Sequence, residues 1–152
     1  MPHLPDGKEL PGVSIHPGHV TTIVVTAAVV ERDGRFLVTK RPKGAHLEGC
    51  WEFPGGKCDA GEALAVCLAR ELLEELDVDA RIGEEILTTT HTYPERSVEL
   101  HFFRCELYGE PRPQLDQEMR WVPREELATL EFPPADAELI RLLMQVEPPG
   151  TV

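Results

Sequence analysis

The sequence predicts one small mixed α/β (α+β) domain, on three observations. A β-branched, apolar run, VTTIVVTAAVVE, extends from Val20 to Glu31 and suits a buried strand. Leu64, Leu68 and Leu72 recur on one face of a helix from about Glu62 to Leu76, with Ala65, Ala69 and Leu76 beside them. Further strand and helix patterns alternate down the chain, without repeats or low-complexity tracts. The chain has 152 residues, within the roughly 100–200 of one domain. At that size it buries about two-thirds of its unfolded surface and needs no disulfide scaffold or structural metal to fold.

Residues 1–18 carry Pro2, Pro5, Pro11, Pro17 and three glycines and read as an irregular arm, ahead of a single domain at 19–147 and a tail at 148–152. Arg32-Asp33-Gly34-Arg35 offers turn chemistry, so the first strand and a second from Phe36 to Lys40 are expected to form a hairpin. Residues 42–61, dense in Gly and Pro, read as a loop that holds Trp51-Glu52-Phe53-Pro54-Gly55-Gly56-Lys57. Beyond the helix, strands are expected at Ala80–Thr92 and Val98–Tyr108, joined by a Tyr93-Pro94-Glu95-Arg96 turn. A further strand is expected at Met119–Val122. Pro123 suits a helix N1 position before Arg124-Glu125-Glu126-Leu127, and a last helix runs from about Ala135 to Val146.

Charge narrows the partners. Fifteen Lys and Arg against 27 Asp and Glu leave a net charge of −12, a field that repels nucleic-acid polymers and anionic membranes. An anionic partner would therefore need a cation to bridge it. The first residues carry no basic segment followed by an apolar core, and the longest apolar run, Ile23 to Val30, is too short to span a bilayer. The four cysteines contain no C-x-x-C pair. The expectation is a protein with reduced thiols in the cytoplasm.

One segment breaks the local rules. Arg70-Glu71-Leu72-Leu73-Glu74-Glu75 sets three carboxylates at i, i+3 and i+4, which at roughly 100° per residue fall in one sector of the helix. Like charges so spaced cost an isolated helix a few tenths of a kcal/mol each. A solvated acidic face with Arg70 in partial compensation is one reading. The Gly-Gly turn that precedes the helix suggests another, because carboxylates plus backbone carbonyls make an oxygen-rich site for a hard cation such as Mg²⁺ or Mn²⁺. Such an ion bridges an acidic protein to a polyphosphate.

Gly56, five residues, Glu62, seven residues, then Arg70-Glu71-Leu72, one residue and Glu74-Glu75, with Val78 beyond, resembles the Nudix box G-x5-E-x7-R-E-U-x-E-E-x-G-U, where U is apolar. Six fixed residues and two apolar positions coincide by chance on the order of 10⁻⁶ per chain of this size. Asp77 stands where the box has its last glycine. That glycine ends the helix and binds nothing, so the departure touches the helix cap and not the chemistry. The resemblance covers roughly residues 20–146 and is closest to the MutT-like branch, through Thr39-Lys40-Arg41, Trp51 to Lys57, Trp121-Val122-Pro123 and Phe132-Pro133-Pro134-Ala135.

The resemblance implies an α/β/α sandwich with a mixed β-sheet and a Mg²⁺-dependent hydrolase (Mn²⁺ substituting) that cleaves a nucleoside triphosphate to monophosphate and pyrophosphate. By position, Glu71, Glu74 and Glu75 would hold the cation with the Gly55 carbonyl, and Asp116 or Glu118 would supply a further carboxylate. Glu71 is a candidate base for the attacking water, while Arg70 would orient the carboxylates by forked hydrogen bonds. Gly56 and Glu62 would be structural members of the box, Glu62 at the loop-to-helix junction. Arg41 would contact nucleotide, and Tyr93 and Phe53 would flank the base. Asp136 either reads a base edge that presents N–H groups or caps the last helix.

Cytidine-type and 8-oxo-guanine-type triphosphates are alternatives for the substrate, with removal of modified or surplus nucleotides as the expected purpose. ADP-ribose or dinucleoside polyphosphates form a second class. A non-catalytic nucleotide sensor is a third reading, which the complete set of charged box residues disfavours. The resemblance is compatible with a monomer or a homodimer. Cys58 lies in the box loop as an oxidisable thiol, and nothing in the sequence marks it as a nucleophile.

Overall fold

The computed structural model describes the backbone at Val13–Ser14 and residues 21–45 and 47–145. The rest of the expected arm, the end of the last helix at Val146 and the tail lie outside the described residues. The strands are β1 (Val13–Ser14), β2 (Thr21–Val29), β3 (Glu31–Arg32), β4 (Arg35–Lys40), β5 (Trp51–Glu52), β6 (Gly55–Lys57), β7 (Ala80–Thr92), β8 (Arg96–Leu107) and β9 (Met119–Pro123). The helices are α1 (Leu64–Leu76) and α2 (Ala137–Gln145), with 3₁₀ turns at Arg124–Thr129 and Pro134–Asp136.

Two sheets result. In the first, β2 pairs in parallel with β8, β8 pairs antiparallel with β7, and β1 and β6 add antiparallel to the other edge of β2. In the second, β4 pairs antiparallel with β3, β5 and β9. The β2 side chains alternate between two cores, as a strand covered on both faces requires. Ala27 and Val29 pack with Phe36, Phe102, Val122, Leu139 and Leu143 on the α2 side, whereas Ala28, with Val30 just beyond the strand, packs with Leu37, Leu68, Leu72 and Leu76 on the α1 side. The expected α/β/α sandwich with a mixed sheet is present. Leu68, Leu72 and Leu76 are fully buried, and truncating any one to Ala would cost about 2–5 kcal/mol.

Several local expectations are corrected. The chain breaks at Val30, so β2 stays in the first sheet while the hairpin around Asp33-Gly34 joins β3 to β4 in the second. The 42–61 segment is not all loop, since β5 extends β4 and β6 extends β2 in runs too short to show periodicity. Val13–Ser14, expected within the irregular arm, pairs with β2. Arg124–Thr129 forms a 3₁₀ turn with Pro123 at its N-cap, and α2 starts at Ala137. Cys58 and Cys67 are joined in a disulfide, so the expectation of reduced thiols fails for that pair. Their C-x8-C spacing resembles no short motif, and they meet because the box loop folds back onto α1. No helix of the described residues is long and apolar enough to cross a membrane.

Asp77 takes the left-handed cap of α1 at φ 51° and ψ 45°, its N–H donating to Leu73 O at 3.0 Å. An aspartate there performs the turn at a conformational cost that glycine lacks. Asp77→Gly should therefore raise unfolding stability by about 0.5–1 kcal/mol, measured by urea denaturation, with activity unchanged.

Candidate active site

α1 turns its acidic face toward the β5–β6 segment, and Arg70 organises the junction. Its Nε and Nη2 donate to the two oxygens of Glu62 at 2.8 and 2.9 Å. Nη1 donates to Glu71 Oε2 at 3.0 Å and to Glu74 Oε1 at 3.2 Å, and Nη2 also reaches Lys57 O at 3.2 Å. The Asp59 N–H donates to Glu62 Oε1 at 2.9 Å. These bonds, the Arg70 bonds first, hold the Glu62 carboxyl down at about 2. Glu62 is thus the anchor of the guanidinium, and only a planar fork serves both Glu62 and Glu71 at once.

Gly55 and Gly56 are required by close approach. Gly55 has φ +157°, and a Cβ on it would overlap Thr26 O, while a Cβ on Gly56 would overlap the Glu71 carboxylate. The bare backbone lets the turn lie directly against Glu71. Glu71 is raised from the ordinary carboxylate range, first by burial and against the pull of Arg70. Glu75 is pushed up to about 8, first by burial and then by its neighbours Glu52 and Glu71.

A cleft of about 350 Å³ is lined by Gly55, Gly56, Glu71 and Glu75. Arg41, Glu52, Phe53, Tyr93 and Asp136 line it as well, with β2 and β8 along its wall. Arg41 Nη1 donates to Glu52 Oε1 at 2.9 Å. Phe53 stacks on Phe132 with centroids 5.3 Å apart, and Tyr93 meets His91 edge-on at 4.6 Å. Asp136 ends the 3₁₀ turn before α2, and its side chain is 6% exposed. Burial, then Glu52, pushes its carboxyl up to about 7.

Most of the expected site residues therefore share one cleft. Glu74 is more exposed and is held by Arg70 instead. Asp116 and Glu118 do not line the cleft. They face a neighbouring groove with Lys40 and Lys43, where Glu118 pairs with Arg120 at 3.3 Å. Glu52 was missed by sequence reasoning, although its place between the buried Trp51 and Phe53 marks it as the residue of that run that points elsewhere. Among the described residues, the one group of three ligating side chains whose donor atoms lie within 4.8 Å of one another is Cys58, Glu62 and Cys67. The donor set of the box, half-buried Glu71 and Glu75 with exposed Glu74 beside a backbone turn, suits a hard dication.

The layered fold and the glutamate-rich helix facing a Gly-Gly turn define a class, the Nudix hydrolases. The chain belongs to the Nudix family, whose NUDIX domain model matches residues 25–142. It is 34% identical over 123 residues to CTP pyrophosphohydrolase of Escherichia coli (strain K12), covering 80% of this chain and 91% of that protein. It is 36% identical over 124 residues to 8-oxo-dGTP diphosphatase of Haemophilus influenzae, again covering 80% and 91%. The solution structure of the E. coli ORF135 protein matches with a TM-score of 0.74 at 32% identity, covering 86% of this chain and 95% of that one.

Gly56→Ala should displace Glu71 and lower kcat about 10²-fold, read by steady-state hydrolysis on protein whose far-UV circular dichroism is unchanged. Asp136 has a folded pKa near 7, above the ordinary value of about 3.9, so the native state holds its proton longer than the unfolded chain. Its contribution to stability is full at low pH and is lost as pH rises through 7. In chelator, Asp136→Asn should thus gain stability relative to the parent between pH 5 and 8 in urea titrations.

Proposed function

We propose that this protein is a divalent-cation-dependent nucleoside triphosphate pyrophosphohydrolase that converts a free nucleotide and water to nucleoside monophosphate and pyrophosphate. The observation that carries the reading is the cleft itself, which gathers Glu71 and Glu75, the Gly55–Gly56 turn, Arg41, Tyr93 and Asp136 around one cavity. A polyphosphate laid toward the carboxylates leaves the aromatic lining of the cleft for the base. The names of the relatives, CTP pyrophosphohydrolase and 8-oxo-dGTP diphosphatase, support the same reaction class. The net charge of −12 favours a free nucleotide over a nucleic-acid polymer.

Glu71, Glu74 and Glu75, with the Gly55 carbonyl, would hold Mg²⁺, and the same oxygen donors suit Mn²⁺. When bound, the ion neutralises phosphate charge and makes a neighbouring water a better nucleophile. Arg70 keeps Glu71 aimed at the cleft, and Glu71 takes the proton of the water that attacks phosphorus. Arg41, steadied by Glu52, offers the anionic substrate a cation. Phe53 sits behind the base as part of the core wall, while Tyr93 stacks on the base.

Asp136 is the specificity residue of this reading. Near neutral pH its carboxyl is partly protonated, so it both donates and accepts and matches the paired N–H and acceptor edges of cytosine or of 8-oxo-guanine. The names of the relatives favour triphosphates over ADP-ribose or dinucleoside polyphosphates. The work belongs in the cytoplasm, where nucleotide pools are.

Pyrophosphate release with Mg²⁺ across CTP, dCTP, 5-methyl-dCTP, dGTP, 8-oxo-dGTP, ADP-ribose and a diadenosine polyphosphate tests the assignment. Turnover of a cytidine or 8-oxo-guanine triphosphate is expected, and Glu74→Gln with Glu75→Gln should lower it by about 10²-fold or more. Turnover confined to ADP-ribose or the dinucleotide overturns the substrate class, and no turnover with any of them overturns the enzyme reading.

A further inference from the structure

The disulfide joins the two segments whose approach builds the carboxylate site. Cys58 follows Lys57 at the end of β6, and Cys67 sits in α1 one turn ahead of Arg70. Their Cα atoms are 5.3 Å apart, inside the span a disulfide bridges. Both are buried, 2% and 0% exposed. Cys67 Sγ lies 3.3 Å from Thr26 Oγ1 and 3.9 Å from Gly56 O. Its partner Cys58 is the next residue after Lys57, whose carbonyl accepts from Arg70. One covalent link therefore spans the same gap as the Arg70 clamp and sits beside the glycine that Glu71 touches.

Glu62 lies close enough to make a three-ligand metal group with the two sulfurs. Both of its oxygens are engaged by Arg70, and one also accepts from the Asp59 N–H. A metal ion there would have to break the clamp, whereas a disulfide leaves it intact. The other two cysteines, Cys50 and Cys105, are buried and free. Burial pushes the Cys105 thiol up to about 12 and raises that of Cys50, which keeps both from forming the thiolate that exchange needs.

We propose that Cys58 and Cys67 form a thiol–disulfide exchange site through which a small-molecule disulfide of the glutathione class sets the cation affinity of the neighbouring carboxylates. One thiolate attacks the small disulfide, releases one small thiol and forms a mixed disulfide. The second cysteine sulfur then displaces the other small thiol. Two protein thiols lose two electrons and two protons in total, and the small disulfide becomes two thiols. Exchange waits on an opening of the 58–67 loop, because both sulfurs are covered. The bridged form locks the Gly55–Lys57 strand to α1, and the reduced form leaves Arg70 alone to hold the junction. In a reducing compartment disulfides are commonly of this transient, redox-sensing kind. The effect on cation affinity rests on the metal-site reading above; the exchange site does not.

The test compares the full chain after glutathione disulfide with the same chain after a phosphine reductant. Thiol titration in denaturant should count two thiols in the oxidised sample and four in the reduced one, matching the four cysteines, with peptide mapping placing the bridge at 58–67. The reduced form should melt at a lower temperature. Mn²⁺ binding followed by electron paramagnetic resonance should weaken on reduction by about fivefold or more. Cys58→Ser with Cys67→Ser should bind Mn²⁺ like the reduced form under either treatment, while Cys50→Ser with Cys105→Ser should keep the response. Four thiols after oxidation, or four thiols with one equivalent of co-purifying Zn²⁺, overturn the exchange site. Two thiols with Mn²⁺ binding unchanged on reduction overturn the coupling. Failure of both forms to bind Mn²⁺ overturns the metal-site reading and the coupling with it, while the thiol count still decides the exchange site.

Discussion

Almost everything about the candidate site depends on one guanidinium. Three glutamates within five residues of α1 repel one another, at a few tenths of a kcal/mol for each helical pair. A charge-assisted hydrogen bond contributes about 1.5–3 kcal/mol, and Arg70 makes such bonds to Glu62, Glu71 and Glu74 from one planar group. The clamp outweighs the repulsion and also attaches the helix to the Lys57 carbonyl. Glu62 keeps its charge down to a pH near 2, so the anchor is lost only as acid approaches that value.

The opposite pressure acts inside the cleft. Glu75 and Asp136 both rise well above the usual carboxylate range, with burial the larger cause and Glu52 contributing to each. Glu52 is itself raised by burial, in spite of its bond to Arg41. Several acids thus share a partly dry space with too little positive charge. Perturbation of this kind clusters at functional sites.

The parts legible in sequence were those with a period or a motif. The leucines of α1, the β-branched run of β2 and the box spacing each repeat often enough to be read, and they located the helix, the buried strand and the carboxylates. β5 and β6 were hidden because two or three residues of strand among Gly and Pro show no alternation. Their pairing is imposed by β4 and β2. Asp116 and Glu118 were plausible by distance along the chain from Trp121, but the loop that carries them turns toward Lys40 and Lys43. Glu52 and the Cys58–Cys67 bridge became visible only when separate segments met, which no local pattern records.

The parallel pairing of β2 with β8, which sets Thr21 opposite Arg96 and Val29 opposite Arg104, also dictates when the molecule can become functional. During synthesis the first strand emerges long before its partner, and contacts so distant along the chain close late and slowly. Until β8 has left the ribosome, the edge of β2 opposite β1 and β6 has no partner strand, and the cleft lacks a wall. A nascent chain stalled before Arg96 therefore carries the whole Nudix box yet has nowhere to put a nucleotide.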